Sequence, residues 1–79
     1  MMENTAQQLE FLAMPVGEPG SGNVRYAAAM HLYQNRLIAD EVLEIFRVCA
    51  PDDNLDPQAE LARLGIPDPI PKLLERKTA

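Results

Sequence analysis

His31 and Cys49 each occur once in the chain, and if packing two helices brought them together they could supply a nucleophile and its base. An imidazole beside a thiol lowers the thiol pKa and yields a thiolate, the attacking species of cysteine nucleophiles. That chemistry also needs an orienting acid and an oxyanion donor, and no spacing in the chain supplies either. Cys49 instead completes an apolar stripe with Val42, Ile45 and Phe46, where a free cysteine behaves as a small hydrophobe. It is therefore read as packing, and no catalytic residue is assigned. Structural zinc sites take four Cys or His ligands, so two such residues define no metal site.

Ser21 is the only serine, and it lies in Pro19-Gly20-Ser21-Gly22-Asn23. A glycine-rich loop feeding a helix N-terminus is the geometry that cradles phosphate. A P-loop also needs Lys followed by Ser or Thr after its last glycine, and Asn23-Val24 stands there. Arg25 occupies the third glycine position of a dinucleotide fingerprint. The loop is read as a linker ending in a helix cap, with no cofactor. Asp52, Asn54, Asp56 and Glu60 place oxygen side chains at alternate positions, as a calcium loop does. The calcium pattern needs glycine sixth and glutamate twelfth, where this chain has Pro57 and Arg63. A polar turn followed by a helix cap accounts for the same residues.

The elements that position these groups follow from proline, glycine and period. Across residues 15–22, two prolines and three glycines interrupt any regular element. Asn23 is a candidate N-cap. Tyr26, Ala29, Met30, Tyr33 and Leu37 recur at spacings of three and four and draw one apolar helical stripe. A break near Leu37-Ile38-Ala39 is expected, because Asp40 and Glu41 suit the first turn of a new helix. One continuous helix over 24–50 is the alternative. Asp56, Pro57 and Gly65 mark a third helix by N-cap, first-turn proline and C-terminal glycine. Its apolar residues are Leu61 and Leu64. The predicted core is Tyr26, Ala29, Met30, Tyr33, Leu37, Val42, Ile45, Phe46, Leu61 and Leu64.

The stretch Leu32-Tyr33-Gln34-Asn35-Arg36-Leu37-Ile38-Ala39-Asp40-Glu41-Val42-Leu43 resembles the hairpin core of short C-terminal oligomerisation (SHOCT-type) modules. Arg36 replaces the glycine of that pattern and Ala39 its capping threonine. The likeness covers about a dozen residues and brings no function with it.

The chain has 79 residues and a formal charge of −5, from 7 basic and 12 acidic side chains. That length makes one domain and leaves little room for a secluded pocket. The acidic balance opposes nucleic-acid binding. A DNA-reading helix-turn-helix, weighed as one alternative, would present Asp40, Glu41 and Glu44 to phosphate against Arg47 alone. A single cysteine fits a reducing compartment. No signal-peptide pattern opens the chain and no apolar run approaches a membrane span, so a cytoplasmic protein is expected.

The expected fold is all-α. A helical core over 23–65, a hairpin plus a short third helix, is flanked by extended arms: 1–22, arm and Gly/Pro loop, and 66–79, a Pro-rich tail. Leu9, Phe11, Leu12, Met14 and Val16 crowd into eight residues. Fixing eight backbones costs on the order of 8–16 kcal/mol, and burying five large apolar side chains returns about 1.5–3 kcal/mol each. Such an arm orders only where it finds a groove and backbone partners. Ile70, Leu73 and Leu74 raise the same question at the other end. These eight residues are the candidate partner-binding set. The function expected is a small non-enzymatic interaction module, an accessory subunit or homo-oligomer binding a protein partner or itself. The alternative is a component of an enzyme or cofactor-binding assembly whose site forms only with a partner.

Overall fold

Five helices follow one another in the computed structural model: α1 Met2–Leu12, α2 Ser21–Gln34, α3 Asp40–Cys49, α4 Pro57–Leu64 and α5 Ile70–Thr78. It describes the backbone of residues 2–13 and 15–78, and the side chains of 7–13 and 15–75. Among the described residues there is no strand, and no helix is long and apolar enough to cross a membrane. The fold is all-α. α2 packs on α3 and α3 on α4, while α1 packs on both α2 and α5.

The hairpin breaks where the acids at 40 and 41 suggested. α2 closes with paired bonds: the Leu37 N–H donates to the Leu32 carbonyl at 2.9 Å and the Arg36 N–H to that of Tyr33 at 3.0 Å. This closure requires a left-handed residue, usually glycine. Here Arg36 takes it, with φ 61°. α4 starts and stops as read. The Asp56 carboxylate accepts the Gln58 N–H at 3.0 Å, Pro57 fills the first turn, and Gly65 ends the helix at φ 74°.

The arms are not extended, which corrects the expectation. Gln7, Gln8, Leu9, Glu10 and Leu12 are strong helix formers, and nothing interrupts them before Pro15. A helix satisfies its own backbone groups, so α1 needs only a groove, and Leu9 and Leu12 fill one from a single face (3% exposed each). At the other end, 66–69 lies outside any helix before α5 begins. The Asp68 carboxylate accepts the Ile70 N–H at 2.9 Å and the Gln58 side-chain amide at 2.8 Å, tying the start of α5 to the start of α4. Pro71 is tolerated in the first turn, where its missing N–H has no intrahelical role.

Two further corrections concern faces. α3 presents Val42, Phe46 and Cys49 inward, as expected, but α2 is turned away from its aromatic stripe. Its buried face is Ser21, Gly22, Arg25, Ala28, Ala29 and Leu32. Tyr26 and Met30 are half-buried and Tyr33 is exposed. Small residues chose the face: a Cβ on Gly22 would stand 2.3 Å from the Ala50 carbonyl oxygen. In α4, Leu61 is fully buried while Leu64 lies outside. Asn23 sits within α2 rather than capping it; Gly20 is the residue at its N-terminus.

Candidate functional site

The glycine-rich loop does hold an anion, and the anion belongs to the chain. One Asp53 carboxylate oxygen accepts the Gly20 N–H at 2.7 Å and the other accepts the Gly22 N–H at 2.8 Å. Those two N–H groups, followed by nearby Arg25, hold the carboxyl below its ordinary range. The Asp53 main-chain carbonyl also accepts the Gly17 N–H at 2.8 Å. Arg25 is buried at 2% exposure. Its guanidinium donates to the Pro15 carbonyl at 2.8 Å and to the Ser21 hydroxyl at 3.2 Å. A buried guanidinium is tolerated only with such partners. Together these groups stitch the 15–20 loop, the start of α2 and the turn after α3 into one junction. The amides that a phosphate would need are already engaged, so this junction organises structure.

His31 and Cys49 lie at opposite ends of the α2–α3 hairpin. Cys49 adjoins Ala50, whose carbonyl rests on Gly22, and roughly 13 Å of helical rise separates Gly22 from His31. Cys49 is 3% exposed. Burial first, then Glu60, Asp56 and Asp52, pushes its thiol pKa up, away from a thiolate.

The carboxylates that resembled a calcium loop are each employed separately. Asp52 accepts the Asn54 N–H at 2.9 Å, Asp56 caps α4, and Glu60 pairs with Arg63 at 2.6 Å. No group of three or more His, Cys, Asp or Glu among the described residues could hold a metal ion.

Of the eight apolar residues expected to meet a partner, Leu9, Leu12, Ile70 and Leu73 are buried in the chain's own core. Phe11 and Leu74 are half-buried against it, and Val16 is exposed. Met14 lies outside the described residues.

A different apolar surface is open. Between α3 and α4 lies a half-open hollow of about 180 Å³, lined by Ile45, Val48, Cys49, Leu55 and Glu60. Val48 is 55% exposed and Leu55 38%. Leu64, 47% exposed, follows Glu60 by one turn and therefore lies beside it on α4. Neither Val48 nor Leu55 stands out in the sequence. The available signal was Val48 falling off the Val42–Phe46–Cys49 stripe, a β-branched apolar residue with no place in the core.

In comparisons with known proteins, no family model matches the chain, no curated protein matches it, and no solved structure matches it.

Proposed function

We propose that this chain is a small non-enzymatic protein–protein interaction module, an accessory subunit or self-associating unit that docks through the hollow between α3 and α4. One observation carries this reading: exposed Val48 and Leu55 line one hollow together with half-buried Ile45 and buried Cys49. Scattered exposed apolar residues need no explanation, whereas clustered ones mark contact sites. The arms contribute little to this surface, because their larger side chains complete the core.

Val48→Asp is the direct test, since Val48 is exposed and its replacement spares the core. The wild type should sediment above monomer mass, or co-purify with a defined partner from its native cells. Val48→Asp should abolish that association while helical circular dichroism is retained. An association indifferent to Val48→Asp, or a wild type that is monomeric and alone, would refute the proposal.

A further inference from the structure

We infer that the hollow between α3 and α4 receives the apolar face of a basic amphipathic helix from a different protein. This rests on the interaction reading above and adds the chemistry of the partner.

The walls of the hollow are α3, the connecting loop at Leu55 and α4; the helical backbone groups are committed to their own bonds, and the Leu55 N–H donates to the Asp52 carbonyl at 3.1 Å. An extended peptide would gain no backbone partners there, because strand addition requires an open sheet edge. A helix needs none. Its side-chain ridge can enter the groove between two others, anchored at positions one turn apart. Val48, Leu55, Ile45 and neighbouring Leu64 supply apolar contacts for such a ridge.

Charge selects the sign. Glu60 is part of the lining, and Asp52 and Asp56 act with it on Cys49. Glu60 is offset by Arg63 and Glu44 by Arg47, which leaves Asp52 and Asp56 as the excess charge beside the hollow. The chain as a whole carries −5. A second copy would bring the same excess of carboxylates to this face, so of the two forms of the interaction reading the accessory subunit is favoured over self-association. Lysines or arginines flanking the apolar ridge of another protein would meet these carboxylates instead.

The test uses the full chain and two fluorescent four-turn helical peptides. Both carry leucines on one face; one has lysines on the other faces and its twin has glutamates. Anisotropy should show saturable binding of the lysine peptide only. Val48→Glu should weaken it by about tenfold or more, as loss of a central anchor does. Glu60→Gln should weaken it by roughly two- to fivefold at about 0.05 M salt, the scale of one exposed charge pair. Glu75→Gln, a matched change on α5, should leave it unaltered. Equal losses from Glu60→Gln and Glu75→Gln would reduce the binding to general charge attraction and overturn the inference. Binding of the glutamate peptide that Val48→Glu abolishes would overturn the basic partner yet keep the hollow as a docking site. Self-association of the chain lost in Val48→Glu would do the same in favour of a second copy. Failure of both peptides, with no association of any kind sensitive to Val48, would sink the docking site as well.

Discussion

Single side chains close this molecule at points far apart in the sequence. Asp53 is the clearest case, because its carboxylate serves as the anion for the start of α2. Its folded-state pKa is lowered, so its contribution is present above the ordinary value near 3.8 and is lost as pH falls through the depressed one. Asp53→Asn should lower the melting temperature at neutral pH and flatten the loss of stability below about pH 4. Thermal melts across pH 2–7 would read both, and parallel curves for wild type and variant would show that the carboxylate contributes no linkage. Arg36 offers a test of opposite sign. A left-handed arginine costs about 1–2 kcal/mol relative to the right-handed region, and glycine relieves it at some cost in unfolded-state entropy. Arg36→Gly should therefore gain roughly 0.5–1 kcal/mol by urea unfolding. A destabilised variant would mean that the arginine side chain does more at the turn than its backbone costs.

At the scale of elements, α1 belongs to the core. Leu12→Ala should cost about 2–5 kcal/mol, the range for a buried leucine, and Phe46→Ala about 3–5 kcal/mol. Chemical denaturation checks both. A Leu12→Ala chain as stable as wild type would return α1 to the role of an arm held in reserve for a partner. The two hairpin helices and α4 were legible because their signals are local: acids at 40 and 41, the Asp56–Pro57 start, the Gly65 stop. The helicity of α1 was hidden by treating Leu9 to Val16 as one apolar run, when Leu9 and Leu12 lie on one face and Pro15 ends the element. The face of α2 was hidden for another reason. Apolar stripes rank residues by size, but close helix packing is decided by the smallest ones, Gly22, Ala28 and Ala29. Nothing local announces that Asp53 will reach back to Gly20 and Gly22, or that Arg25 will be buried under the loop. Those contacts exist only once the hairpin closes. The hollow was illegible for the same reason, since it exists only once α4 packs on α3.

For the molecule as a whole, Leu9, Leu12, Ile70 and Leu73 of the arms are buried, and among the described residues three of the exposed large apolar side chains, Val48, Leu55 and Leu64, gather on the α3–α4 face, with Val16 and Tyr33 exposed elsewhere. An association through that face should persist in about 0.5 M salt, where charges are screened over a few ångströms, because apolar burial supplies its main drive. Its rate of formation should fall with salt, as steering by opposite charge does. Stopped-flow mixing at two salt concentrations separates the two effects, and dissociation at moderate salt would mean that charge alone holds the complex. The most direct test is residue-resolved amide chemical-shift mapping of the full chain as the lysine–leucine helical peptide, or the native partner, is added. The account predicts perturbations gathered on Ile45, Val48, Cys49, Leu55, Glu60 and Leu64, with Leu9, Leu12, Ile70 and Leu73 unchanged. Perturbations gathered instead on α1 and α5 would contradict it.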